Sequence, residues 1–490
     1  MLSAASEVLN FSRRQVSHAV QTIRRPMRTV GLYLKIRRDV LPGLTRLANA
    51  EGDRLEFRLG RAHLLLLSAP ADVHEVLVSQ NRAFHKPAGP ISFRRVLGDG
   101  LLTSEEEAWK RSRRLIQPAF HSEALLPLGV KMVEMTLRHM DAWQGGVEYD
   151  IVDEMTSLTF AVATEALFGF QDPVLSAEVR DSISTGMRYV SRRMYKVVRL
   201  PVWIPNRGTR AARRLTRAIG QIMAERERRG GSSSDLLSLI TRAGEAAGDG
   251  FTAEELQDQA LTLLLAGHET TASALGWIWH LLAHHPEVRA RLEDEIETKL
   301  GRTLPSPESL RALPYLDAVV QEALRLYPPV WGLTRQAVEP FLLGSRTFAA
   351  GTRVGILPWI IHRKGAFFAE PDVFNPDRWL DGSPAELPRH AYIPFGAGPR
   401  TCVGRSFALM EMRLIIATVT QRYRMQAVPG HTVVAEPLVT LRARHGVRVV
   451  LEPRAFVAGP SDGGESIRPE IPSPLRAGCP FHEGSERGPS

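Results

Sequence analysis

No proline interrupts the chain between Thr252 and Pro286. Thr252-Ala-Glu-Glu255 has the form of a capping box, in which the threonine and the second glutamate satisfy each other's backbone groups. The spacing predicts one helix behind that cap, about 50 Å long at the usual rise per residue. Such a rod crosses a whole domain, so the rest of the chain must be built around it. Its apolar stretch Leu261–Leu265 runs on into His268 and Glu269, which marks a buried core helix and not a membrane span.

Other helical patterns follow. Pro286 can start a helix that Gly301 ends, and a further one is predicted from about Leu313 to Leu326, stopping at Tyr327-Pro328-Pro329. Another should start just after Cys402 and continue through Phe407–Tyr423. Strand signals are fewer: 53–60, 62–68, 341–348, 352–357 and 447–451. The fold class expected is mainly α with a small β region.

With 44% hydrophobic and 23% charged residues in 490, the chain can bury a sizeable core. The organisation expected is a basic N-terminal arm at 1–30, one catalytic domain at 31–454, and a Gly/Pro/Ser-rich tail at 455–490. The arm is the basic part: from Arg13 to Arg38 there are eight Arg or Lys and no acid. That composition overlaps with a transit peptide and with an interfacial helix; an exposed arm is the expectation, and a peripheral membrane contact the second reading. No secretory signal or transmembrane span is read, so a cytoplasmic location is expected. The net charge of +9 suits an acidic protein or anionic lipid; without zinc-finger or RNA-binding spacing, nucleic acid is not expected. Two cysteines, Cys402 and Cys479, make no disulfide framework, and Cys479 with His482 is too few ligands for zinc.

Cys402 carries the chemistry. A reactive or metal-binding thiolate needs a lowered pKa and donors aimed at sulfur. The loop Phe395-Gly-Ala-Gly398-Pro-Arg400-Thr-Cys402-Val-Gly404 offers both, since glycines admit backbone N–H groups and a helix begins just beyond. An isolated cysteine would read as a buried structural thiol; one in this loop reads as a ligand. Glu322 and Arg325, three apart on a helix, share a face. In Ala266-Gly267-His268-Glu269-Thr270-Thr271, two small residues let the long helix approach a ligand, and the Thr270 hydroxyl can reach the carbonyl of Ala266. His268 is expected to pack.

The loop matches F-x-x-G-x-R-x-C-x-G at every fixed position and resembles the cytochrome P-450 family. That resemblance spans roughly Gly31 to Pro453 and implies a triangular-prism fold, with haem b between the long helix and the Cys402 loop. Cys402 would ligate the iron, and Phe395, Gly398, Arg400 and Gly404 would complete the cofactor loop. Trp109, Arg113 and Arg335, with Arg400, would face the propionates, and Ala266 and Gly267 the distal side. Glu322, Arg325 and Arg378 would form a buried structural ion-pair network. Glu269 and Thr270 would be the acid–alcohol pair that supplies protons to dioxygen.

The implied reaction inserts one atom of O2 into a lipophilic substrate: a terpenoid or carotenoid, a fatty acid or a polyketide. The stretches around Ala266–Trp277 and Gln321–Arg335 are similar to bacterial carotenoid and terpenoid hydroxylases. Leu263, Val330, Leu333 and Val439 are the candidate pocket residues, within variable segments that also include 86–107 and 187–203. With no G-x-G-x-x-G fingerprint, NAD(P)H electrons should come from a ferredoxin or flavodoxin with its reductase. Lys110, Arg111 and Arg114 are the candidate docking patch, and a monomer is expected. The competing readings are a haem-thiolate peroxygenase or isomerase, and a haem-binding protein without turnover.

Overall fold

The computed structural model describes residues 40–454 apart from 60–61, 88–93, 95–96, 195–206, 231–234 and 381–382. The expectations for the N-terminal arm, for the tail with Cys479 and His482, and for parts of 86–107 and 187–203 lie outside the described residues. The chain divides into a unit ending at Arg454 and a second segment, Ala455–Ser490.

Eleven helices of ten residues or more are found among the described residues: α1 Val40–Glu51, α2 Glu106–Ile116, α3 Ser122–Met140, α4 Ile151–Phe168, α5 Pro173–Met194, α6 Arg207–Arg228, α7 Leu236–Ala246, α8 Ala253–His284, α9 Pro286–Leu300, α10 Pro314–Leu326 and α11 Arg405–Arg422. The long rod is α8, and its capping box forms as expected. Thr252 N–H donates to Glu255 Oε2 at 2.9 Å, and Glu255 N–H to Thr252 Oγ1 at 3.2 Å. Pro286 occupies the first turn of α9, where its missing N–H costs nothing, and Gly301 ends that helix at φ +52°. Pro314 opens α10 in the same way.

Twenty of the 32 residues of α8 are buried, so it is the central axis of the core. Its closest neighbour is α4, and the approach depends on Gly276. A Cβ there would lie 2.9 Å from Val152 Cγ2. His268 packs as expected, edge-on to Phe160 at 5.4 Å, with Nδ1 2.9 Å from the carbonyl of Leu264.

Twelve short strands among the described residues frame this bundle. β1 Arg54–Leu59, β2 Ala62–Leu67, β3 Phe84–His85, β5 Leu333–Ala337 and β8 Arg353–Ile356 form one sheet in the order β1-β2-β8-β5-β3. Only the β2–β8 pair in it is parallel. Leu65 and Leu67 pair with Val354 and Ile356, and all four side chains are buried. The 341–348 segment is a hairpin, β6 Phe341–Leu343 with β7 Arg346–Phe348. β4 Glu148–Asp150, β9 Tyr423–Ala427 and β12 Arg448–Pro453 make a third sheet, and β10 Ala435–Pro437 pairs with β11 Leu441–Ala443. The sequence reading missed β3–β5 and β9–β11. They are at most five residues long, and too few of their positions are buried to print an alternation. No helix among the described residues is long and apolar enough to cross a membrane.

Candidate active site

The Cys402 loop closes on itself before α11 begins. Cys402 N–H donates to the carbonyl of Phe395 at 3.0 Å, and Thr401 Oγ1 to that of Gly398 at 2.7 Å. Gly398 sits at φ +71°, and a Cβ on it would fall 1.9 Å from the carbonyl oxygen of Leu77. No other residue fits there. Cys402 is exposed, although many protein atoms crowd around it. Burial pushes its thiol pKa up. The Gly404 N–H and the charges of Arg113 and Arg405 pull it back down. These three are the groups that favour a thiolate.

Helix α2 ties this loop to α8. Ser112 Oγ accepts from Gln259 of α8 at 3.3 Å, while the next residue, Arg113, reaches the other way and donates to the carbonyl of Thr401 at 2.8 Å. Arg113 Nε donates to Gln117 Oε1 at 3.0 Å. Arg113, read as a propionate partner, is therefore also a clamp on the cysteine loop.

The other expected propionate partners converge. Arg400 lies over the ring of Trp109, 4.4 Å from its centroid, donates to the carbonyl of Ser104 and pairs with Glu105. Arg335, on β5, is pushed down to about 10, first by burial and then by Arg400. Lys86, which the sequence did not single out, joins them: burial, Arg400 and Arg335 push it down to about 7. Three half-buried cations stand near one carboxylate, that of Glu105, which pairs directly with Arg400 and accepts from the backbone N–H of Lys86. Like charge gathered in such excess and partly withdrawn from water is costly unless an anion completes it. Two propionates would do so, and a thiolate at Cys402 would take the iron, so this donor set fits the haem that the sequence resemblance implies.

On α8, Thr270 Oγ1 donates to the carbonyl of Ala266 at 2.7 Å, as expected, and the helix stays continuous across it. Ala266 is exposed beside the buried Leu265, and a Cβ at the half-buried Gly267 would meet nothing within 4 Å. Glu269 does not join Thr270. Its carboxylate accepts from Arg442 Nε at 2.7 Å, Arg442 Nη2 at 2.6 Å and Thr440 Oγ1 at 2.8 Å. Burial alone would push its pKa up, but Arg442 and His268 outweigh it and hold the carboxyl below its usual range. Behind it lies a cavity of about 140 Å³ lined by charged and polar groups, among them Asp153, Arg180, Ser273 and Arg442.

The structural network is more complete than expected. Glu322 accepts from Arg325 Nε and Nη2 (both 2.8 Å), Arg378 Nε (3.0 Å), the N–H of Asn375 (3.0 Å) and Trp379 Nε1 (2.8 Å). Both Glu322 and Arg325 are 0% exposed. Arg325 Nη1 reaches the carbonyls of His362 and Pro371, and Nη2 that of Val373. The His362 ring bridges onward: Nδ1 lies 3.2 Å from the Arg325 carbonyl, and Nε2 accepts from the N–H of Ile393 at 2.8 Å, two residues before the cysteine loop.

Among the candidate pocket residues, the Val330–Leu333 segment meets the turn holding Val439. Trp331 Nε1 donates to the carbonyl of Leu438 at 2.9 Å, and Leu441 N–H to that of Pro329 at 2.9 Å. Ser273 and Trp277 of α8 both donate to the carbonyl of Leu441. Leu263 is buried in the same apolar core that Val439 packs on.

One expectation is corrected. Lys110, Arg111 and Arg114 are not a free basic patch: Arg111 pairs with Asp249 (2.7 Å) and Glu255 (2.9 Å), Arg114 with Asp249, and Lys110 with Glu107 (2.5 Å). The acids come from the turn before α8, from the first turn of α8 and from α2 itself, and only the Glu107–Lys110 spacing is visible in sequence.

The Cytochrome P450 family model matches residues 23–442. Cyclooctat-9-en-7-ol 5-monooxygenase of Streptomyces melanosporofaciens is 37% identical over 78% of this chain and 84% of its own. Cyclooctatin synthase of the same organism is 35% identical over 83% and 90%. A structure described as retinoic acid bound cyanobacterial CYP120A1 aligns at a TM-score of 0.74 and 27% identity, covering 84% of this chain and 93% of that one. With the cysteine loop, the paired glutamate–arginine network and the profile match all on one chain, this protein belongs to the cytochrome P450 family, the oxygen-incorporating haem oxidoreductases.

Proposed function

We propose that the chain is a haem b monooxygenase, Cys402-ligated, that inserts one oxygen atom from O2 into a lipophilic terpenoid-like substrate. NAD(P)H electrons would arrive through a ferredoxin or flavodoxin and its reductase. The observation that carries this reading is the closed glycine loop that presents Cys402, clamped by Arg113, with the cations Lys86, Arg335 and Arg400 gathered about Glu105. The substrate class is supported by the relatives, two of which are named for cyclooctatin chemistry, and by the apolar character of Leu263, Val330, Leu333 and Val439.

Bound haem supplies dioxygen activation, with an anionic sulfur ligand favouring O–O cleavage. The chain's own residues do the rest. Arg113 and the Gly404 N–H hold charge on Cys402, and Arg335, Arg400 and Lys86 seat the propionates. Ala266 and Gly267 leave room beside α8, and the Thr270 hydroxyl presents a proton there. Glu269 draws protons from the polar cavity behind α8 and, on releasing Arg442, passes them toward Thr270. Retention of both residues favours this reading over a peroxygenase or isomerase.

The test is titration of the purified ferric protein with cyclic terpenes, carotenoids, fatty acids and macrolides, followed by the Soret band, then product analysis with a reconstituted electron donor. A low-to-high-spin shift and an oxygenated product with a terpene support the reading. A shift with none of them, or turnover from peroxide alone, would replace it.

A further inference from the structure

Between Asp181 and Glu225 the sequence contains no acidic residue. The first five turns of helix α6 lie within this stretch and carry Arg207, Arg210, Arg213, Arg214 and Arg217, all exposed. At 100° per residue these five fall within about 120° of arc. The opposite face, Ala211, Ala212, Leu215, Ala218, Ile219 and Ile222, is buried. None of the five makes an ion pair with a described residue, in contrast to Arg111, Arg114, Arg226 and Arg228, which all do. Arg188 of α5, also exposed, adds to the same stretch.

A row of guanidiniums with no ion-pair partner among the described residues, spread over about 15 Å of one helix face, creates a strong local field that attracts an anion. Its position decides against the electron donor. Helix α6 packs on α5, α8 and α4, and Gln257 Nε2 of α8 donates to the carbonyl of Thr216 at 2.6 Å. The helices that flank Cys402 are α2 and α11, and an electron donor must approach there. Nucleic acid would use the charges too, but stacking of bases needs aromatic side chains interleaved with the cations, and α6 has none.

We propose that the arginine row of α6 seats the protein on an anionic bilayer surface. Guanidinium groups pair well with lipid phosphates, and each adds to the binding near a negatively charged leaflet. The choice of lipid over other polyanions rests on the reading of a lipophilic substrate, which would partition into the same bilayer. The seat itself is independent of turnover.

The experiment is co-sedimentation of the full-length, haem-loaded protein with two kinds of vesicle: pure phosphatidylcholine, and phosphatidylcholine with phosphatidylglycerol. Binding is expected to the anionic vesicles only and to weaken with salt. Changing Arg207, Arg210, Arg213, Arg214 and Arg217 to Gln should lower that binding ~100-fold or more. Changing Arg24, Arg25 and Arg28 of the N-terminal arm to Gln should lower it far less. An unaltered carbon-monoxide spectrum checks folding, and Arg210→Gln and Arg214→Gln singly should each give a graded loss if the fivefold variant does not fold. Unchanged binding on loss of the row, a loss carried wholly by the arm, or tighter binding of duplex DNA or RNA than of vesicles would each overturn the proposal. Substrate titration is a separate measurement, so failure of the seat and failure of the proposed reaction are told apart.

Discussion

Glu269 and Arg442 meet as a two-pronged ion pair between α8 and β11, with nitrogen–oxygen distances of 2.7 and 2.6 Å. The carboxylate that would feed protons toward Thr270 is thus held by a strand far along the chain. Arg442→Gln should cost roughly 1–3 kcal/mol, toward the low end because Arg442 is 33% exposed. The sign of its pH dependence follows from the lowered pKa of Glu269. Its contribution is fully present above the unfolded carboxylate value and is lost as pH falls through the folded one. The Tm gap between wild type and Arg442→Gln should therefore narrow on acidification, and a gap that widens would contradict the pairing.

Thr270→Ala should leave haem content and substrate affinity nearly unchanged. The hydroxyl is needed only after oxygen binds, so its loss acts on the reaction and not on the ground state. Product formed per reductant consumed should drop about tenfold or more, with hydrogen peroxide rising to match. Full coupling in this variant would remove Thr270 from the proton path.

Cys402→Ser should abolish the red-shifted Soret band of the ferrous carbon-monoxide adduct, and Cys479→Ser should preserve it. The reverse dependence would end the assignment of Cys402.

Arg325→Ala leaves Glu322 buried and short of its main counter-charge. A loss of about 3–5 kcal/mol is expected, enough to prevent accumulation of haem-loaded protein. The measurement is haem content and urea midpoint. A variant with normal values for both would show that Arg378, Trp379 and Asn375 suffice.

Glu411 offers an independent pH test. It is fully buried on α11, neither carboxylate oxygen has a hydrogen-bond partner of good geometry among the described residues, and burial pushes its pKa well up against a smaller lowering by the nearby Thr271. The adjoining Thr271 hydroxyl donates to the carbonyl of Gly267 at 2.8 Å, so it is free only to accept, which suits a protonated acid. A carboxyl raised in the fold lowers stability as pH climbs above its unfolded value. Glu411→Gln should thus raise Tm more at about pH 8 than at about pH 5. An equal gain at both would mean the carboxyl ionises in place.

The parts of this molecule legible in sequence are those fixed by local rules. The Thr252 cap, Pro286, Gly301 and Pro314 set helix ends through neighbouring backbone, and they fell where expected. The cysteine loop was legible because its fixed residues span only ten positions, although the steric demand on Gly398 comes from the distant Leu77. What was not legible depends on partners brought together by the fold. Nothing near Lys86 announces Arg335 and Arg400, nothing near Glu269 announces Arg442, and Asp249 neutralises Arg111 and Arg114 from across the turn before α8. Half-exposed strands such as β5 lack a periodic face and are defined only by the neighbour they pair with.

The five donors on Glu322 carry a consequence for how the protein is made. Arg325 is three residues away, but Asn375, Arg378 and Trp379 lie more than fifty residues further on. Until that stretch has left the ribosome, the carboxylate has one partner, and His362 has no Ile393 to receive. The cofactor loop follows last, at 395–404. Haem capture is therefore a late event in biogenesis, and a nascent chain stalled before residue 375 should be a target for proteolysis and not a waiting apoprotein.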